Sequence, residues 1–165
     1  MNANIAMDVA FHLNVPAPWP ARSTYLCRLL AKAYAAGARV WVVVAPDEVV
    51  RLDEALWTLP VDDFVPHVRA DAAELLRKRS PVVIAGPADP LAGERGVLVN
   101  AQPEWPSVLE AGEVRFARVV EVVSSDEADK AAARQRWRRY QGMGLNPVAH
   151  DRAPRSAPAP AGVGA

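Results

Sequence analysis

A single cysteine, Cys27, stands among 165 residues, and the three histidines, His12, His67 and His150, are far apart in the chain. One thiol cannot form an internal disulfide, and scattered histidines without a cysteine pair lack the ligand spacing of a zinc site. Cys27 falls inside an apolar helical pattern and is expected to act as a small buried hydrophobe. No apolar run approaches the ~18 residues that a membrane helix needs. Met1 to Leu13 has no cationic start followed by a long apolar stretch, so no secretory signal is expected there and the protein is read as cytoplasmic. Net charge is missing as well. Nineteen basic and nineteen acidic residues cancel. The surface as a whole therefore draws in neither nucleic acid nor anionic lipid, and any electrostatic binding must be local.

The motifs of nucleotide and acyl chemistry are also absent. A dinucleotide fold needs G-x-G-x-x-G after its first strand, because glycine alone lets backbone approach a pyrophosphate. That turn here carries Pro16, Pro18 and Trp19. Proline removes the very N–H donors that a phosphate would use. Gly86, Gly93 and Gly96 are spread through a proline-containing loop with no G-K-[ST], and they read as turn glycines. There is no G-x-S-x-G elbow. The carboxylate pairs Asp53/Glu54 and Asp62/Asp63 are adjacent in sequence, so in regular structure they point apart and fit surface solvation better than paired acid–base work. No catalytic set, metal or cofactor is expected.

What the chain does have is apolar material: 51% hydrophobic against 23% charged residues, enough for a real core. Asn4 to Leu13 alternates in part and reads as a strand, after which Pro16, Pro18 and Pro20 hold the chain extended. A helix is expected from Ser23, as cap, to Ala36, with Gly37 in the left-handed position that ends it. Leu26, Leu29, Leu30 and Ala33 make its buried face. Arg39 to Ala45, Pro81 to Ala85 and Gly96 to Val99 are short β-branched runs without polar alternation, suited to strands covered on both sides. Asp47 is expected to cap a second helix carrying Val49, Leu52 and Leu56. Ser107 opens a short helix, Phe116 to Val123 makes a strand, and Ser125 to Gln141 makes the last helix. Residues 71–79 fit either a short helix or a loop. Strands alternating with helices imply an α/β fold. A three-layer, Rossmann-like, mostly parallel sheet flanked by helices is expected, as one domain over residues 1–147. Proline, alanine and glycine then dominate, and 148–165 is expected to be a flexible tail.

Two constellations exceed what a core requires. The first runs from Arg51 through Trp57 (RLDEALW) to Phe64, Val65, Pro66 and His67. Trp57 lies at a helix end and Phe64 in a proline-bounded acidic loop, so these aromatics are either tucked back as plugs or offered to a partner. The second is the final helix, KAAARQRWRRY. Lys130, Arg134, Trp137 and Arg138 fall within one arc of about 100°, beside an apolar stripe of Ala133, Trp137 and Tyr140. Three readings fit: a solvated charged face, a pocket with an apolar floor and cationic rim for an acidic aromatic peptide, or a platform for single-stranded nucleic acid using Arg134, Arg136, Trp137 and Arg139.

The stretch RLDEALW with the following FVPH, and the helix ARQRWRRY followed by Gly144 and Asn146, resemble the DNA polymerase III chi subunit. The resemblance extends from the N-terminus to about residue 147. It implies a Rossmann-like domain that binds no nucleotide and is not itself an enzyme. It also implies an adaptor that joins the clamp loader, through the psi subunit, to single-stranded DNA-binding protein. That protein's acidic C-terminal tail, which ends in phenylalanine, would be held by Lys130, Arg134, Trp137 and Arg138. The family usually has tyrosine where Trp137 stands and lysine where Arg138 stands, and both changes keep the character of the site. Trp57 and Phe64 would lie on the face for psi or another partner. The segment from Arg69 to Arg79 and the tail from Asp151 depart from the family pattern.

Overall fold

The β-branched runs lie at the centre of a sheet covered on both faces, and their composition follows from that position. The computed structural model describes residues 7–59, 64–110 and 116–153. In chain order the elements are β1 (Asp8–Val15), α1 (Ala21–Ala35), β2 (Val40–Val43), α2 (Val49–Trp57), β3 (His67–Arg69) and α3 (Glu74–Arg79). They continue with β4 (Val82–Ala85), β5 (Val97–Asn100), β6 (Arg118–Ser124), α4 (Glu127–Gly142) and β7 (Val148–Asp151). Single turns of 3-10 helix at Pro46–Glu48 and Ser107–Leu109 join them. The strands form one sheet in the order β3-β4-β2-β5-β6-β1-β7, every neighbouring pair parallel.

Side chains of a strand alternate between faces, and here both faces are dry. In β2, Val40 and Val42 join Leu26, Leu30, Leu52 and Leu56 of α1 and α2 on one side. Trp41 and Val43 join Ala133 and Tyr140 of α4 on the other. All four β2 residues are buried, which is why no polar alternation shows in the sequence. Burying each such side chain stabilises the fold by roughly 1.5–3 kcal/mol relative to leaving it exposed.

Local expectations differ from the structure mainly at element ends. α1 begins at Ala21, and the Ser23 hydroxyl donates back to the Pro20 carbonyl at 2.7 Å instead of capping. Gly37 has φ +80, the left-handed terminus expected of it. Asp47 belongs to the 3-10 turn ahead of α2 and is not its cap. Asp126, one residue beyond the expected start, caps α4 by accepting from the Ala128 N–H. Residues 74–79 are helical, and the Arg95 guanidinium donates to the Arg77 and Ser80 carbonyls near the end of that helix. The expected boundary after residue 147 is corrected. Val148–Asp151 is a strand, paired with β1 from Ala10↔Val148 to Leu13↔Asp151. Without it the β1 backbone would expose a row of unpaired donors and acceptors. The rest of the expected tail, 154–165, lies outside the described residues.

Cys27 is buried as expected, and desolvation pushes its thiol up to about 11. At pH 8 only about one thiol in a thousand is then ionised. Native protein should therefore resist iodoacetamide at pH 8, with modification appearing in step with denaturant-induced unfolding. Rapid labelling of folded protein would place Cys27 elsewhere.

Candidate functional site

α4 is built to start and stop cleanly. Asp126 caps it, Glu127 and Asp129 sit in its first turn where the helix dipole favours anions, and Gly144 at φ +82 follows its end. Its inner face is not purely apolar. Arg136 is buried and donates from Nε to Glu121 Oε2 at 3.0 Å. Glu121 is fully buried in β6. Its Oε1 accepts from the Tyr140 hydroxyl at 2.7 Å, and its Oε2 also accepts from Asn100 Nδ2 at 2.8 Å. Burial pushes the Glu121 carboxyl up, while the Arg136 guanidinium and the Tyr140 and Asn100 donors pull it down. Arg136 also donates to the Pro103 carbonyl.

Lys130, Arg134, Trp137 and Arg138 do come together. They line one side of an open cavity of about 500 Å³, whose floor is Phe11, Leu13, Val123 and Ala133. Trp137 is half-buried and packs on Phe11, with centroids 4.9 Å apart and planes tilted by 56°. Phe11 in turn meets Tyr140 edge-on at 5.9 Å. Arg134 and Arg138 are exposed and make no ion pair among the described residues. Lys130 has only a loose contact with Glu127 at 3.8 Å. The cavity therefore offers an aromatic and aliphatic floor under three available cations.

The nucleic-acid platform is dispersed. Arg136 is turned inward. Arg139 stacks over Trp105 at 4.1 Å and donates to Glu110 Oε1 at 2.9 Å. Of its four residues, only Arg134 and Trp137 share the cavity.

Trp57 and Phe64 stand together at the β3 edge of the sheet. Trp57 is 61% exposed and Phe64 43% exposed, with ring centroids 5.4 Å apart. Beneath them His67 is buried, 4.9 Å from the Trp57 ring, with Nδ1 donating to the Val65 carbonyl at 2.7 Å and Nε2 3.2 Å from Asp53 Oδ1. Both rings thus keep exposed surface while packing on each other and on His67. Asp62 and Asp63 lie outside the described residues.

The DNA polymerase III chi subunit (HolC) family model matches residues 7–148. This chain belongs to that family. A chi subunit of Pseudomonas aeruginosa is 33% identical over 149 residues, covering 89% of this chain and 97% of its own length. The chi subunit of Escherichia coli is 32% identical over 122 residues, covering 73% of this chain and 79% of its own. Among solved structures, the C-terminal domain of the DEAD-box protein Dbp5 superposes with TM-score 0.55 at 12% identity, over 91% of this chain and 92% of that one. That likeness concerns the fold alone. Membership of the chi family gives the chain an accessory role in DNA replication.

Sequence reasoning missed Glu121 and Asn100. The available signal was a single glutamate in the otherwise apolar run RVVEVV, which calls for a buried partner. Breaking this pair from either side strands a buried charge. Arg136→Ala or Glu121→Ala should each cost about 3–5 kcal/mol of stability by urea unfolding. The double variant Arg134→Ala/Arg138→Ala should melt within a degree or two of the parent.

Proposed function

We propose that this chain is a non-catalytic adaptor of the polymerase III holoenzyme, on its clamp-loader side. It would grip the acidic, phenylalanine-ended C-terminal tail of single-stranded DNA-binding protein in the cavity beside α4. The observation that carries the reading is the pairing of a Phe11–Trp137 floor with a Lys130, Arg134 and Arg138 rim. A terminal phenyl ring fits the floor, and carboxylates on neighbouring residues meet the cations. Among the described residues the lining is apolar, amide and cationic, a composition that suits holding an acidic aromatic peptide.

The partner face of Trp57 and Phe64 supports the bridging half of the role. It lies beside the edge strand β3, while the cavity lies between α4 and β1 near the opposite edge. With strands about 4.8 Å apart, the five intervals from β3 to β1 separate the two surfaces by roughly 24 Å. Two partners can then be held at once, with psi or another clamp-loader-side protein at the aromatic face. A replisome-associated role would have the protein act in the bacterial cytoplasm.

Titration calorimetry with a short acidic peptide ending in phenylalanine tests the tail site. Deleting the terminal phenylalanine should weaken binding at least about 30-fold, the equivalent of burying one ring at roughly 2 kcal/mol. Arg134→Ala/Arg138→Ala should weaken it about 2- to 30-fold, since each exposed ion pair contributes about 0.2–1 kcal/mol. Unchanged affinity for the shortened peptide would remove the pocket from consideration. If bare oligonucleotide binds more tightly than the peptide, with steep salt dependence, direct nucleic-acid binding is the better reading.

At the other face, Phe64→Ala should leave the melting temperature nearly unchanged while costing about 2–4 kcal/mol of affinity for psi, as for an interface anchor. A lowered melting temperature with binding retained would return Phe64 to a structural role.

A further inference from the structure

The cavity beside α4 has one wall that neither its apolar floor nor its cationic helix explains. β1 slips register against β6 between His12 and Val15. Within that slip Asn14 has φ +59, in the left-handed region that asparagine tolerates better than most side chains. Such slips re-aim side chains beside functional sites, and here Asn14 lines the cavity. Its Nδ2 donates to Asp151 Oδ1 at 3.0 Å, and the Ala153 N–H donates to the same oxygen at 2.8 Å. Asp151 ends β7, beside β1, and its side chain is exposed. The Asn14 amide, then the Ala153 N–H, and to a smaller degree Lys130, hold its carboxyl below the ordinary range.

The direction of α4 fixes which end of the cavity this is. The Ser125 N–H donates to the Val15 carbonyl, so the first turns of α4 stand over the C-terminal end of β1, beside Asn14. Lys130 belongs to that end. Arg138, eight residues further along the helix, is about 12 Å away along its axis.

We propose that Asp151, pinned by Asn14, is a specificity-determining charge just behind the Asn14 wall of the cavity. It would oppose peptide carboxylates at the Lys130 end and make an acidic peptide lay them along Arg134 and Arg138. This rests on the reading of the cavity as an acidic-peptide site. The arrangement trades some affinity for orientation, because a like charge repels a misplaced carboxylate wherever the ligand is reversed or shifted.

Asp151→Asn removes the charge and keeps an acceptor oxygen for Asn14 and Ala153. Full-length protein is titrated with the acidic, phenylalanine-ended peptide at low and at 1 M salt. A second peptide has its acidic side chains replaced by amides. Asp151→Asn should tighten the acidic peptide about two- to fivefold at low salt, the scale of one exposed charge pair. The gain should fade at 1 M salt, where the Debye length is about 3 Å, and should shrink with the amide peptide. Asp151→Glu should behave like the parent. Equal or weaker binding by Asp151→Asn, while the parent binds, overturns the gate and leaves the tail site standing. A gain that persists unchanged at high salt or with the amide peptide also overturns it. Failure of both proteins to bind overturns gate and site together, whereas binding by Asp151→Asn alone supports a stronger gate.

Discussion

Arg136 enters the interior to meet Glu121, and the outward face of α4 follows from that one ion pair. Residues two apart on a helix are turned by about 200° from each other. Pinning Arg136 inward therefore drives Arg134 and Arg138 outward, and both are exposed. Glu121 sits at the centre of β6 with no exposed surface, where a lone carboxylate would be prohibitive. Arg136, Tyr140 and Asn100 together supply its donors. Two of these come from α4, so the helix is fixed in rotation as well as in position. Greasy packing alone would tolerate more slippage.

The arrangement also separates the basic residues of one short segment into different roles. Arg136 is structural. Arg139 closes over Trp105 and Glu110 on the far flank of the helix. Lys130, Arg134 and Arg138 remain available around Phe11 and Trp137. A chain of zero formal net charge thereby carries a local cationic surface. Trp137 puts an aromatic ring against Phe11, where its packing helps close the apolar side of the cavity.

The sheet itself keeps the two candidate surfaces apart. β3 and β7 are its edges, and each carries part of a surface that the central strands could not present. Trp57 and Phe64 stand beside β3, above a buried His67. Asp151 extends the opposite edge next to the cavity. Central strands are occupied on both faces by α1, α2 and α4, so both candidate surfaces lie towards the margins of the sheet. In many Rossmann-like proteins a glycine turn brings phosphate to the strand ends. The proline-rich turn after β1 leaves that place without its usual donors.

Periodicity and composition were enough for much of this protein. β2, β4 and β5 were legible as doubly covered strands because parallel sheets bury both faces, and α1 and α4 were legible from their apolar spacing. The convergence of Lys130, Arg134, Trp137 and Arg138 was legible too, since helical geometry alone puts them on one arc. Other features depend on partners distant in sequence, and local pattern carries little trace of them. His67–Arg69 becomes a strand only because β4 pairs with it. Val148–Asp151 is short and exposed, without strand-like alternation of burial, and it is a strand through its pairing with β1. Arg136 looked like one more surface cation until Glu121, fifteen residues earlier, drew it inward. Part of the cavity floor, Phe11 and Leu13, comes from β1, more than a hundred residues before the helix that rims it. Helical and strand periodicity are properties of a segment and can be read from it. Edge pairing, buried charge partners and the far wall of a cavity are properties of contacts between segments, and they exist only once the chain has folded.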